Sequence, residues 1–398
     1  MNICFLCRTY HQMRGGMESY VHGMAQELCH QGHVVHIVTQ KGEKNFYLEA
    51  PPETLHIHEV DFREEPFRGY WRLDHFFPLT NLRYAYCLLK KVREIQAAYS
   101  LDLIETPDGY AEAFWLTLQK KIPVVYRFHG HRGFVQRYYN GTLCRHLREK
   151  LLWYLERIII SRASKVVVVS QDFSRIVKKV FNCKEKNIET IYTLVDSDFY
   201  RPDTQATRDL SVLYVGRLEE NKGIGVLAEI IPSVIRDFPE VKFVFAGADA
   251  FDQNLKMTWK EYLLKRLPRG NLLFLGILSP DKLVRYYQKA AVCIIPSLYE
   301  PGSTVALEAM ACGCPVIASD VGGFKEFIRH DKDGLLVPAG DIDAFAEAIT
   351  RVLGDPLLKK KISTGAEAKI KRCFSPSIIT QKAIESFKQA VENFSNNK

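Results

Sequence analysis

Apolar and polar positions along the chain follow two rhythms. Residues 2–7, NICFLC, form a short continuous apolar run. A polar turn containing Gly15 and Gly16 follows, and then Val21, Met24, Ala25 and Leu28 recur at the spacing of one helix face. VVHIVTQ at 34–40 is apolar and β-branched again. Strand, glycine-rich turn, helix and strand make a βαβ unit. Further strands are predicted in LDLIET from 101, IPVVYRFHG from 122 and ASKVVVVS from 163, the last after the helical pattern LREKLLWYLERIIISR. Short, unbroken β-branched runs suit a parallel sheet covered on both faces.

The rhythm stops between 193 and 210, where LVDSDFYRPDTQATRDL carries turn residues and little periodicity, and reads as a linker. A second alternation then begins. SVLYVGRL, VKFVFAG, LLFLGIL, VCIIPS and PVIAS read as strands. GIGVLAEIIPSVIRDF, WKEYLLKRL, SPDKLVRYYQKA and a segment opened by Ser303 read as helices. SPSIITQKAIESFKQAVENF closes the chain as an amphipathic helix. The pattern predicts an α/β protein of two doubly wound, Rossmann-like domains, at 1–195 and 196–374. A terminal helix at 375–398 packs back toward the first. Ligands of such sheets lie in a cleft at the C-terminal ends of the strands.

Length and composition agree: 398 residues exceed one ordinary core, and 47% hydrophobic with 25% charged residues are globular values. The net charge of +8 is modest for this length. The 10 cysteines follow no secretory leader, since the first residues are apolar at once, and read as small buried hydrophobes in a reducing compartment. Cys4 and Cys7 alternate faces of a strand, and Cys312 and Cys314 have no second pair at zinc-ligand spacing. No apolar run approaches the roughly 20 residues that span a bilayer.

EPGSTVALEAMACGCPVIASDVGG, from 300 to 323, raises a chemical question. Pro301-Gly302 forbids helix, Ser303 is a good N-cap, and a helix follows from about Thr304. Its first amides lack partners and carry the positive end of the helix dipole, which suits a phosphate. Glu308 lies one turn in and leans back toward the helix start, while Glu300 approaches from the loop. Carboxylates on sugar hydroxyls with amides on phosphates describe a nucleotide-sugar; a capped helix with two solvated acids is the plain alternative.

These residues resemble the retaining glycosyltransferases of family 4, which have the GT-B fold: two Rossmann-like domains facing a central cleft. Glu300 and Glu308 match the Glu-x7-Glu signature, and LEAMACGCPVIAS, VGG and DGLLVPAGD follow in the family's order. VGRLEENKG is similar to the family's Arg…Lys motif, and FHG and GGMESY are similar to weaker ones. The resemblance implies that Arg217 and Lys222 neutralise the donor diphosphate as it leaves. It makes Glu308 the ribose-binding acid and Glu300 the acid near the transferred sugar. Gly302 and the amides of Ser303, Thr304 and Val305 would contact sugar or phosphate. Gly16 resembles the glycine whose backbone approaches the diphosphate. His129 resembles a histidine beside the transferred sugar, with His131 as a competitor two residues on. Glu105 and Asp108, which end the preceding strand, are acceptor candidates or turn formers. FAGADAF and TLVD depart from the family's usual glycine and NGVD patterns.

The resemblance implies sugar transfer from a nucleoside-diphosphate donor, with UDP the commonest. The acceptor would be a saccharide or lipid-linked saccharide, in surface polysaccharide, lipopolysaccharide or glycolipid synthesis. No cofactor and no metal are expected, because Arg217 and Lys222 supply the positive charge and no Asp-x-Asp motif is present. An inactive partner subunit and a sugar-nucleotide epimerase are the alternatives. The stretches Phe62–Arg93 and 132–157 interleave aromatics with Arg and Lys. That suits an anionic membrane surface holding the acceptor, and places the protein in the cytoplasm or on the inner face of its membrane. A helix face with snorkelling arginines is the simpler reading. No nucleic-acid motif accompanies it.

Overall fold

The computed structural model describes residues 1–10, 15–42, 52–62, 77–130, 147–183 and 187–396. These fall into two compact units, one of Met1–Tyr192 with Ile379–Lys398, the other of Thr193–Ile378.

The first unit is built on β1 (Asn2–Leu6), β2 (Val34–Gln40), β3 (Leu55–Val60), β4 (Leu103–Pro107), β5 (Val124–Phe128), β6 (Lys165–Val168) and β7 (Ile188–Thr190). They pair in the order β3-β2-β1-β4-β5-β6-β7, and every pairing is parallel. Its helices are α1 (Gly16–His30), α2 (Leu79–Tyr99), α3 (Phe114–Gln119), α4 (Leu147–Arg162) and α5 (Gln171–Phe181). Ser170 caps α5, its Oγ accepting from the Phe173 amide at 3.2 Å. Two of this unit's strands lie outside the sequence reading. β3 reads LHIHEV, where His56 and His58 break the apolar run; in the sheet they stack on His36 with ring centroids 5.0 and 5.3 Å away. β7 has three residues, none of them buried, and leaves no apolar signal.

The second unit is built on β8 (Ser211–Val215), β9 (Lys242–Ala246), a small hairpin of β10 (Phe251–Asp252) and β11 (Met257–Thr258), β12 (Leu272–Gly276), β13 (Val292–Ile295), β14 (Val316–Ser319) and β15 (Leu335–Val337). The six longer strands are ordered β12-β9-β8-β13-β14-β15, all parallel. Its helices are α6 (Ile224–Asp237), α7 (Trp259–Arg266), α8 (Pro280–Lys289), α9 (Thr304–Ala311), α10 (Phe324–Phe327), α11 (Ile342–Gly354) and α12 (Pro356–Cys373). One core joins Val212, Tyr214, Phe243 and Phe245 of the sheet to Ile231 and Val234 of α6 and Phe345 and Ile349 of α11. The sequence reading named neither α11 nor α12. Their starts are nonetheless marked by Asp341 and Asp355, whose carboxylates accept first-turn amides, with Pro356 at the first position of α12.

The last helix, α13 (Pro376–Asn396), leaves the second unit and packs on the first. Thr380 Oγ1 lies 3.3 Å from Met24 Sδ, and Lys165 Nζ donates to Gln389 at 2.9 Å. Among the described residues no helix is long and apolar enough to cross a membrane.

In both sheets the order in which strands are added reverses between parallel neighbours, at β1/β4 and at β8/β13. Loops leaving the C-terminal ends of such a pair lie side by side, and this is where open α/β sheets build sites.

Candidate functional site

In the second unit the β8 loop carries Arg217 and Lys222, and the β13 loop carries Glu300 and Ser303. Because β8 and β13 are neighbours, the two loops touch, and backbone contacts fix how. The Leu298 amide donates to the Asn221 carbonyl at 3.0 Å. Gly223 has φ +72°, and a Cβ there would stand 1.8 Å from the Pro296 carbonyl oxygen. Only glycine accepts both the left-handed backbone and that approach. Lys222 Nζ is thereby brought to Glu300 Oε2, 2.5 Å away, as an ion pair. Arg217 pairs instead with Glu219, 3.1 Å away. Glu219 is a buried acid to which the sequence reading gave no part.

The β14 loop supports the same corner. Gly322 has φ +52°, and a Cβ would stand 2.2 Å from the Glu300 carbonyl oxygen, which accepts the Gly323 amide at 2.9 Å. VGG is therefore the rest on which the Glu300 turn lies.

Ser303 caps α9, its Oγ accepting the Ala306 amide at 3.2 Å. The amides of Thr304 and Val305 belong to the first turn, which has no helical acceptors. Gly302 is half-buried beside them. Glu308 is 8% exposed and accepts from the Tyr287 hydroxyl at 2.9 Å. Burial pushes its carboxyl up to about 7, against the pull of Tyr287 and Tyr200. Neither tyrosine carries a sequence signal: one lies in α8, the other in the linker. Arg208 holds the helix ends behind this site, its guanidinium donating to the carbonyls of Ala290 at 2.8 Å and Gly313 at 2.6 Å.

In the first unit, the C-terminal ends of β1, β4 and β5 gather the remaining residues. Gly16 opens α1. His129 follows β5 and donates its amide to Asp108 Oδ1 at 2.8 Å, while the Asp108 amide donates to the Arg127 carbonyl. Asp108 thus ties the β4 and β5 ends together. The His129 ring lies 5.1 Å from Tyr20, and burial, then Arg127, holds its pKa well below the ordinary value. A neutral imidazole there exchanges hydrogen bonds without carrying charge. Glu105 is inside β4 and not at its end, opposite Phe5 and Val125. Burial raises its pKa, opposed by Arg127, whose guanidinium stacks on Tyr20 at 4.0 Å. Its carboxyl is enclosed within the sheet. Glu112, beyond β4, is also buried, and burial pushes it up to about 7 against Arg8. His131, residues 63–76 and residues 132–146 lie outside the described residues. Among the described residues no cluster of His, Cys, Asp and Glu is arranged to hold a metal ion.

Comparison with known proteins gives the family and the fold. Residues 196–369 match the Glycosyl transferases group 1 family and residues 14–199 match Glycosyltransferase Family 4. An uncharacterized glycosyltransferase of Methanocaldococcus jannaschii is 28% identical over 399 residues, covering 95% of each chain. The glycogen synthase of Mycobacterium tuberculosis is 24% identical, over 89% of this chain and 86% of that one. Among solved structures, the sucrose-phosphate synthase of Thermosynechococcus elongatus has a TM-score of 0.78 at 22% identity, covering 98% of both chains. Anabaena HepE, solved with UDP and glucose, has a TM-score of 0.70 at 18% identity, over 98% of this chain and 99% of that one. These two likenesses show the fold. Taken with the family matches across residues 14–369, they establish that the chain belongs to the group 1, family 4 glycosyltransferases and is built on the GT-B fold.

Proposed function

We propose that this glycosyltransferase moves a sugar, with retention of configuration, from a uridine-diphosphate donor to a saccharide or lipid-linked saccharide in surface polysaccharide or glycolipid synthesis. One observation carries the reading: the ion pair of Lys222 and Glu300 stands at the capped start of α9, with Glu308 one turn further in. That arrangement offers a cation and first-turn amides to a diphosphate, one acid to a ribose and one to the transferred sugar. HepE's structures with UDP and with UDP-glucose support the choice of nucleotide.

As the donor bond breaks, negative charge grows on the leaving diphosphate. Fixed cations stabilise that state more than the ground state. Lys222 and Arg217 fill this role, in place of a divalent cation. Glu300 orients Lys222 and approaches the sugar hydroxyls. A double displacement needs a carboxylate placed on the opposite sugar face. The second unit's two site acids are already engaged, Glu300 by Lys222 and Glu308 by Tyr287, which favours same-face substitution with the leaving phosphate taking the acceptor proton. His129, neutral, would contact a sugar hydroxyl or orient the acceptor. Asp108, which positions it, is the stronger acceptor-side carboxylate; Glu105 is enclosed.

Thermal-shift titration against UDP, GDP and ADP and their sugar conjugates tests the reading, since a ligand of the folded state raises the melting temperature. UDP stabilises the protein, Glu308→Ala abolishes the shift, and Lys222→Ala binds but turns over poorly. An unshifted protein at millimolar nucleotide, or full activity in both variants, overturns it.

A further inference from the structure

Glu308 does not stand alone. Tyr287, fully buried on α8, donates to Glu308 Oε2 at 2.9 Å. Tyr200, at the end of the segment entering the second unit, supplies a second hydroxyl interaction with the same carboxylate. The two rings meet edge to face, centroids 6.3 Å apart, so each fixes the other. Tyr200 is itself anchored: its amide donates to the Asp196 carbonyl at 2.8 Å, and Asp196 Oδ1 accepts the amides of Asp198 and Phe199 at 3.0 Å. Tyr287 thus bonds the buried acid directly, and the Tyr200 hydroxyl, from a separate element, also favours its ionised form.

Among the described residues no cation is among the groups that shift Glu308. Cys293 of β13 and Cys312 at the end of α9 face it, and burial keeps both thiols protonated. Arg208 is directed at helix carbonyls and at Cys312 and Cys314, and Lys359 and Glu367 of α12 lie about Arg208. Among the described residues it is the two phenols that favour the carboxylate over the neutral acid. A carboxylate has about four acceptor positions, so two phenols leave two for a ligand's vicinal diol. The neutral acid would present a donor of its own and lose that match.

We propose that Tyr200 and Tyr287 are positioning residues for donor binding: their hydroxyls hold the Glu308 carboxylate ionised and turned so that its free lone pairs meet the donor's ribose diol. This rests on the reading of Glu308 as the ribose-binding acid. Removing either hydroxyl then weakens binding where Glu308 becomes protonated and spares it in alkali. A tyrosine that merely packs would weaken binding equally at every pH.

The test uses the full chain with Tyr200→Phe, Tyr287→Phe and Glu308→Gln, which keep ring or side-chain volume. UDP-glucose is the probe, because its esterified phosphates do not titrate between pH 5.5 and 8.5. Affinity is measured across that range. In parallel, the infrared band of the protonated Glu308 carboxyl is followed, assigned by its loss in Glu308→Gln. We expect each phenylalanine variant to raise the midpoint of both curves by about one pH unit, the loss of one charged hydrogen bond. At pH 6.5 affinity then falls several-fold, recovering at pH 8.5. An unmoved infrared midpoint, or a loss of affinity uniform in pH, overturns the proposal. If the infrared midpoints move but Glu308→Gln binds UDP-glucose as well as the parent, the tyrosine pair stands and the donor-site reading falls.

Discussion

Gly223→Ala probes how the two site loops are held together, and the structure supplies its own control. Gly223 (φ +72°) and Gly340 (φ +77°) share the left-handed backbone. A Cβ at 340 meets nothing within 4 Å, whereas one at 223 stands 1.8 Å from the Pro296 oxygen. Alanine at 340 should therefore cost only the backbone term, about 1–2 kcal/mol. Alanine at 223 adds an overlap relieved only by moving the β13 loop, another 1–3 kcal/mol or so. For a unit of this size, each kcal/mol lowers the melting temperature by about 2–4 °C. Urea midpoints at matched slopes give the two costs. The displaced loop carries Glu300, so Gly223→Ala should also lose nucleotide stabilisation while Gly340→Ala keeps it. Equal destabilisation by the two variants, with nucleotide binding intact in both, would refute the argument that this contact aligns Lys222 with Glu300.

Two further outcomes are expected. His36 is buried, with His58 Nε2 3.0 Å from its Nδ1; burial, then His58 and His56, lowers its pKa from 6.5 to about 4. His58 is lowered too, by burial, His56 and Lys91, with Glu94 opposing. At these two histidines the unfolded chain takes up protons first, so their contribution to stability falls as pH drops from 6.5 toward 4, while the raised carboxyls of Glu112 and Glu308 contribute the opposite slope up to about pH 7. Urea unfolding against pH of the parent and of His36→Phe isolates the histidine: the difference between the two curves should change between pH 6.5 and 4, and a difference constant across that range contradicts the assignment. The adjacent helices α2, α3 and α4 expose Tyr86, Leu118, Tyr154 and Ile158, with Lys90 over the Tyr86 ring and Arg157 over the Trp153 ring. If this face meets an anionic bilayer, the chain co-sediments with anionic vesicles, and Lys90→Glu with Arg157→Glu reduces binding by about tenfold or more; equal pelleting with neutral vesicles removes the idea.

By itself the sequence determined the class of fold, because hydrophobic period survives without tertiary context. The runs at 34–40, 165–168 and 292–295 and the helix at 147–162 are local patterns, and they stand as strands and helix in the structure. It also determined that Ser303 caps a helix from Thr304, since capping is a matter of neighbouring residues. What it left undetermined are features set by neighbours distant in the chain. LHIHEV is a strand because His36 and Tyr99 cover its histidines. Glu105 is a buried acid inside the sheet rather than one at the strand's end, opposite Val125 of β5 with Arg127 two strand residues beyond. Lys222 meets Glu300, 78 residues away, because β8 and β13 pair and Gly223 lets their loops close. Glu308 finds Tyr287 and Tyr200 only after the linker and α8 have folded onto α9. Residue types and short spacings carry the chemistry a chain has available; strand order decides which of those groups meet, because hydrogen bonds and ion pairs act over a few ångströms and not along the sequence.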